Sequence, residues 1–275
     1  MNNENQKTIF ITGSSTGLGR ATAKLFVDKG WKIIATMRNS EKETELSKLP
    51  NVTLLSLDVT DPEQIKSTVE KAMAISGVDV VHNNAGYGLA GPLEGMSDAQ
   101  IVRMVNTNML GAIRITKAFI PYFRAKRSGM FINTISIGGL ITVPFNSIYH
   151  ATKWALDGWS ESMAFELKRF GIGIKTVFPG GMKTDFFTRS FDTGRHEAYN
   201  ELVDKVMAVI TDPATMATYS TPDQIAQVVY EATTDGKEQL RYLAGEDAKA
   251  TYAKRQQLGA EDFRLGMDQQ FFGKY

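Results

Sequence analysis

Six short runs of apolar and β-branched residues recur along the chain: Thr8 to Ile11, Lys32 to Met37, Val52 to Leu57, Val78 to His82, Met130 to Ile135 and Ile172 to Phe178. Runs without polar alternation suit strands buried on both faces. The period of strand then helix, repeated at least five times, predicts an α/β fold: one parallel sheet with helices on both sides. A further run, Leu240 to Ala244, brings the sheet to about seven strands. Such sheets bind ligands in the crevice beyond the carboxyl ends of their strands. The chemistry should therefore lie in the residues just past the end of each run.

The first run enters Thr12-Gly13-Ser14-Ser15-Thr16-Gly17-Leu18-Gly19, and a helical pattern follows from Arg20 to Lys29. Strand, glycine loop and helix together bring bare N–H groups and a helix N-terminus to a pyrophosphate. A tight strand-to-helix turn would look similar, and the spacing differs from the common Gly-x-Gly-x-x-Gly. The second run ends at Met37-Arg38 with no Asp or Glu before Glu41. An acidic residue there would bind a ribose 2'-hydroxyl, whereas an arginine accommodates a 2'-phosphate. Arg38 thus favours NADP(H) over NAD(H), unless it is an ordinary surface charge.

After the third run come Asp58-Val59 and a helix start at Thr60-Asp61-Pro62-Glu63. The fourth opens into Asn83-Asn84-Ala85-Gly86-Tyr87-Gly88, small residues against which a ligand can lie. Ser97-x-x-Gln100 reads as a capping box for a long helix to about Lys126 that contains Asn106-Thr107-Asn108. Asparagine is unfavourable inside a helix, so a local break is expected, with the side chain or a freed carbonyl holding a water.

The fifth run leads to Ser136-Ile137-Gly138-Gly139 and then to Tyr149-His150-Ala151-Thr152-Lys153 on a helix reaching about Arg169. Positions i and i+4 share a helix face, so Tyr149 and Lys153 aim a phenol and an ammonium into one cleft. A nearby cation favours phenolate and lowers a tyrosine pKa from about 10, which fits the phenol for proton exchange with an alcohol or ketone. Ser136, at a strand end, can donate to the same substrate oxygen. A Tyr-x-x-x-Lys pair alone commonly marks only a half-exposed face; its weight comes from the company it keeps.

With 31 basic and 30 acidic residues the net charge is +1, so no global field recruits nucleic acid or anionic membrane. There is no cysteine, and His82, His150 and His196 lack metal-ligand spacing, so metal-free chemistry is expected. No run of about 18 apolar residues occurs, and Met1 to Lys7 lack an apolar signal core, which suggests a soluble, cytoplasmic protein. The sixth run ends at Pro179-Gly180-Gly181-Met182-Lys183-Thr184. The period is then lost over 183–220, which carries Phe186, Phe187, Phe191, Tyr199, Met207 and Met216 and reads as a substrate lid of helical pieces. Thr221-Pro222-Asp223-Gln224 starts another helix, and residues 246–275 form a C-terminal extension. No linker or repeat divides the chain, so 1–275 is expected to be one domain.

Taken in order, Thr12-Gly13-x-x-x-Gly17-x-Gly19, Asp58, Asn83-Asn84-Ala85-Gly86, Asn108, Ser136, Tyr149-x-x-x-Lys153 and Pro179-Gly180 with Thr184 resemble the short-chain dehydrogenase/reductase family in its short, non-extended form. The flavour around Ala35 to Arg38 and the Tyr149 helix is similar to the branch of 17β-hydroxysteroid and retinol dehydrogenases. The resemblance implies a Rossmann-type, NAD(P)-binding domain and hydride transfer between a cofactor and an alcohol or carbonyl. It makes Tyr149 the acid/base, Lys153 its activator and a holder of the nicotinamide ribose, Ser136 the positioner of the substrate oxygen, and Asn108 the support of a water reaching Lys153. Gly13, Ser15, Thr16, Gly17, Leu18 and Gly19 would face the pyrophosphate, and Asp58 and Val59 the adenine. Asn84, Ala85 and Gly86 would face the adenosine side, and Pro179, Gly180, Met182 and Thr184 the nicotinamide. Many NADP-using members carry a basic residue where this chain has Thr16, so the preference rests on Arg38.

The expected substrate is a small apolar alcohol or ketone, acted on by a homodimer or homotetramer. Two other readings use the same fold: an NADP(H)-sensing binding protein without turnover, and an epimerase or dehydratase.

Overall fold

The computed structural model describes residues 6–184 and 191–273. Seven parallel strands form the main sheet: β1 (Thr8–Thr12), β2 (Lys32–Met37), β3 (Val52–Ser56), β4 (Val80–Asn83), β6 (Gly129–Thr134), β7 (Ile172–Pro179) and β9 (Arg241–Ala244). Their order is β3-β2-β1-β4-β6-β7-β9, so the chain winds outward from β1 in one direction and from β4 in the other. The reversal leaves a crevice between the loops that follow β1 and β4. A second sheet, with no counterpart in the sequence pattern, pairs β5 (Gly88–Ala90) with β8 (Phe191–Thr193) in parallel. Three-residue strands are too short to carry a periodic pattern.

Helices cover both faces. On one lie α1 (Gly17–Asp28) and α8 (Pro222–Thr234), whose Phe26, Ile225 and Val229 are fully or nearly fully buried against the sheet. On the other lie α2 (Pro62–Ser76), α4 (Gly111–Lys126) and α5 (Ser147–Leu167). There Phe10, Phe119, Phe123 and Phe131 are completely buried, and the Phe10 and Phe119 rings meet edge-on at 5.1 Å. Burying each such ring is worth about 1.5–3 kcal/mol, so this stack is a large share of what holds the sheet.

The long helix breaks where the asparagines predict it. α3 (Asp98–Val105) passes into a π-helical turn, Asn106–Leu110, before α4. The turn's wider winding carries Asn108 inward, leaving it 2 % exposed. Beyond β8 come α6 (Asn200–Ile210) and α7 (Pro213–Ala217), and after β9 come α9 (Glu246–Leu258) and α10 (Ala260–Phe272). Phe186 and Phe187 of the expected lid fall outside the described residues. Tyr199 and Phe272 set their rings edge-on to Phe145, so the Tyr199 segment and the C-terminal extension both pack on the loop preceding α5. Met216 is exposed.

The helix starts differ in how their amides are capped. Asp61 accepts from the Glu63 and Gln64 amides, and Ser97 and Thr221 each form a full capping box. α1 has no side-chain cap at Thr16 and no acidic residue in its first turn. Its first N–H groups, uncapped by any described side chain, face the carboxyl edge of the sheet.

Candidate active site

The loops after β1 and β4 are fastened to each other by side chains that the strand ends supply. Thr12 Oγ1 accepts the Asn84 and Ala85 amides at 3.0 Å each. Asn84 Nδ2 returns donors to the carbonyls of Thr12 and Gly13 at 3.1 and 3.2 Å. The approach is close enough to demand glycine. A Cβ on Gly13, whose φ is +70°, would lie 2.8 Å from Ala85 Cα, and one on Gly19 would lie 2.4 Å from the Gly13 carbonyl. Asn84 and Ala85 therefore shape the glycine loop as well as the crevice beside it.

Around the uncapped end of α1, Ser15 and Thr16 are exposed, and among the described residues Thr184 is the neighbour near a Cβ built on Gly17, at 3.9 Å. Leu18 is buried beneath. Arg38 is exposed at the end of β2 and makes no ion pair among the described residues. Asp58 accepts from the Thr60 amide and hydroxyl at 2.8 and 2.7 Å, while Val59 is buried against Gly111. After β7, Pro179 is buried, Gly180 donates to the Ala244 carbonyl at 3.0 Å, and Met182 bridges to Ser220. Asp247, which no sequence motif marks, accepts the Gly181 amide at 2.6 Å.

Asn108, Ser136, Tyr149 and Lys153 come together at the same edge. The π turn presents Asn108 to Tyr87, whose carbonyl accepts from Nδ2 at 2.8 Å and whose amide donates to Oδ1 at 3.0 Å. A Cβ on Gly86 would lie 3.2 Å from Asn108 Oδ1 and 3.8 Å from Lys153 Nζ, so one glycine separates the two side chains. Lys153 Nζ donates to the Thr134 carbonyl at 3.1 Å and stands 5.7 Å from the centre of the Tyr149 ring. Ser136 Oγ accepts the Gly138 amide at 3.0 Å and stands near enough to the Tyr149 phenol to lower its pKa.

The electrostatics differ from the expectation. Burial pushes the Tyr149 phenol above its ordinary value, and the Ser136 hydrogen bond only opposes that rise. Lys153, 6 % exposed, is itself pushed down to about 8 by burial. Its ammonium is spent on the Thr134 carbonyl and lies over the phenol ring, where it does not offset the desolvation of a phenolate.

The short chain dehydrogenase family matches residues 7–194. The chain belongs to that family. An uncharacterised oxidoreductase of Schizosaccharomyces pombe is 39% identical over 212 residues, covering 76% of this chain and 89% of that one. The human retinol dehydrogenase 8 is 38% identical over 66% of this chain and 60% of its own length. A 3-ketodihydrosphingosine reductase of Bacteroides thetaiotaomicron is 34% identical over 74% and 75%. Among solved structures, a short-chain dehydrogenase from Streptomyces avermitilis superposes with a TM-score of 0.85 at 30% identity and 98% coverage of both chains. ElxO with NADP bound gives 0.74 at 26% identity, over 90% of this chain and 99% of that one. This short-chain dehydrogenase is thus an oxidoreductase with the family's sheet, and no described helix is long and apolar enough to cross a membrane.

Proposed function

We propose that the protein interconverts an apolar secondary alcohol and a carbonyl with NADP(H), using Tyr149 as the proton donor and acceptor. The observation that carries this reading is the meeting of Ser136, Tyr149 and Lys153 beside an uncapped helix N-terminus. Those residues suit a dinucleotide on two counts. The N–H groups of α1, uncapped by any described side chain, match a pyrophosphate, and Gly13, Gly17 and Gly19 put no side chain of their own between the loop and a ligand. NADP-bound ElxO adds support, and Arg38 is the residue of this chain that would take a 2'-phosphate.

The nicotinamide supplies or takes the hydride when bound. The chain's own part in a reduction is to deliver a proton from Tyr149 Oη to the carbonyl oxygen as the C–H bond forms at carbon. In an oxidation the same phenol oxygen takes the proton back. A phenol held above its ordinary pKa keeps that proton at neutral pH, the protonation state from which a carbonyl is reduced. Ser136, with Gly138 N–H on one lone pair, has its own single hydrogen for the substrate oxygen. Lys153 would hold the cofactor's ribose, and Asn108, alongside Gly86, would support a water that links Lys153 to solvent.

Leu89, Met96 and Met104 are buried next to Tyr149 with Tyr87, Ile101 and Ile148 around them, giving the cleft an apolar wall. Two relatives are named for lipid-like compounds, which agrees with that wall. Residues 183–220 would form the lid of this one domain, in a cytoplasmic protein.

The test is a fluorescence titration with NADPH and NADH, repeated on Arg38→Asp, followed by a carbonyl panel. NADPH preference that Arg38→Asp abolishes, with turnover lost in Tyr149→Phe, supports the reading. Failure to bind either cofactor overturns it.

A further inference from the structure

His150 comes next after Tyr149 in the chain, so its side chain leaves α5 about 100° around the helix from the phenol. It is 7 % exposed, and both ring nitrogens are engaged with backbone. Nδ1 lies 2.7 Å from the Gly138 carbonyl, and Nε2 lies 3.0 Å from the Val143 amide. A carbonyl only accepts and an amide N–H only donates, so the ring must be neutral with its hydrogen on Nδ1. Burial pushes its pKa down, which agrees with a neutral ring.

The two backbone groups it holds belong to the segment that carries Ser136. Gly138 donates its amide to Ser136 Oγ, and Gly139 donates to the Ser136 carbonyl at 2.9 Å. The ring comes so close that a Cβ on Gly138 would lie 2.9 Å from His150 Nδ1 and 3.3 Å from Tyr149 Cε1. Downstream of Val143 the chain is strained: Phe145 has a φ of +58°, in the left-handed region that a bulky residue avoids. A turn of this kind keeps its shape only when its surroundings hold it.

We propose that His150 is a positioning residue that sets the Ser136 hydroxyl for the reaction through Gly138. The inference rests on the roles of Ser136 and Tyr149 proposed above. Nδ1–H fixes the Gly138 carbonyl, and the neighbouring amide occupies one Ser136 lone pair. The single serine hydrogen is left to point at the substrate oxygen. Nε2 fixes Val143 and so closes the other end of the same turn. Nothing in the Tyr-x-x-x-Lys pattern marks this position, because its role depends on a turn seven to twelve residues upstream.

Three variants separate positioning from general stability. Asn at 150 keeps a donor near Nδ1 and loses the reach to Val143; Ala loses both bonds; Tyr149→Phe is the control for the underlying reaction. The probe is whichever of 2-decanone, acetophenone and 3-ketodihydrosphingosine wild type reduces fastest with NADPH. We expect His150→Ala to lower kcat about 10- to 100-fold, the scale of a misplacement near 1 Å. Its NADPH dissociation constant should stay within about 2-fold of wild type, since the bond lost in Ala is remote from the pyrophosphate loop. His150→Asn should recover kcat to within about 3-fold, because the Gly138 bond is the one that orients Ser136.

Equal kcat in wild type and Ala, or equal losses in Ala and Asn, would overturn the proposal. Nitrogen NMR of the His150 ring at neutral pH reads the tautomer without any substrate. A hydrogen on Nε2, or a charged ring, would overturn it as well. If Tyr149→Phe keeps wild-type turnover, the proposed reaction has failed instead, and the ring tautomer still decides whether the clamp exists.

Discussion

Lys153 Nζ stands 5.7 Å from the centre of the Tyr149 ring. The pair is therefore a buried cation over an aromatic face, and the cation is expensive to keep there. Its pKa of about 8 lies below the ordinary 10.5. Below pH 8 both folded and unfolded chains hold the proton and the burial penalty is fully present. Between about 8 and 10.5 the folded chain gives it up first, so stability rises with pH; above that the penalty is gone.

Lys153→Met should accordingly stabilise the cofactor-free protein at pH 7, by up to about 3 kcal/mol from the pKa difference. Loss of the bond to the Thr134 carbonyl takes back about 1 kcal/mol. Urea denaturation of both proteins at pH 7 and pH 9.5 checks this: the variant's advantage should shrink at the higher pH. A Met variant that is less stable than wild type at pH 7 would show that Lys153 is not a stored cost. Turnover should be lost in either case.

Thr12 is 2 % exposed, and its hydroxyl oxygen is the acceptor for two amides, those of Asn84 and Ala85. Thr12→Val keeps the shape and takes the acceptor from two part-buried N–H groups, a cost of about 1–3 kcal/mol. Thr12→Ser should cost under about 1 kcal/mol, since only a methyl is lost. Because Asn84 and Ala85 brace the glycine loop, NADPH affinity measured by nicotinamide fluorescence should fall in Val and persist in Ser. Equal stability in the two variants would mean the amides find other acceptors.

The parallel sheet was legible in the sequence through the apolar runs of its buried strands, and the crevice residues lie where those runs end. The break at Asn108 was legible too, because an asparagine pair in mid-helix runs against propensity; that the break takes π form depends on packing that no local pattern carries. Arg38 stands at the predicted edge, exposed, as a strand-end residue should be. The β5–β8 pair joins residues about a hundred positions apart through three-residue strands, and it left no trace. The direction of the Tyr149 shift was misread for a different reason. Spacing put a cation beside the phenol, but whether charge or desolvation wins depends on burial, which one helix face does not reveal.

Asp192 straps β8 to the body. It accepts from Gln100 Nε2 at 3.0 Å and pairs with Arg103, whose Nε reaches the Tyr87 hydroxyl at 3.2 Å. Tyr87 in turn is the backbone partner of Asn108. Asp192→Ala should change global stability by no more than about 1 kcal/mol, because Arg103 is largely exposed. Its effect should fall on the cleft wall: KM for the carbonyl probe should rise about 3- to 10-fold, a cost near 1 kcal/mol. NADPH affinity should not move. Steady-state kinetics with saturating NADPH checks the split, and a weaker cofactor affinity would place the strap's influence elsewhere.

Away from the crevice, Lys175, Asp235 and Tyr242 form a buried triangle that ties the outer strands to the end of α8. Lys175 Nζ donates to Asp235 at 2.6 Å and to the Tyr242 hydroxyl at 2.9 Å, and that hydroxyl donates to Asp235 at 2.7 Å. Burial alone would raise the Asp235 carboxyl, but the Lys175, Lys237 amide and Tyr242 hydrogen bonds hold it down at about 2. A depressed acid contributes stability above its ordinary value of 3.8 and loses it as pH falls through about 2. The shift corresponds to about 2 kcal/mol at neutral pH. Asp235→Asn should cost more, about 3–5 kcal/mol, because it also leaves Lys175 charged and buried without its partner. Lys175→Met with Asp235→Asn should recover most of that loss, since both charges then leave the interior together. Urea unfolding of the single and double variants at pH 7 checks the coupling. A double variant no more stable than Asp235→Asn alone would mean the triangle holds the strands through shape, with charge contributing little.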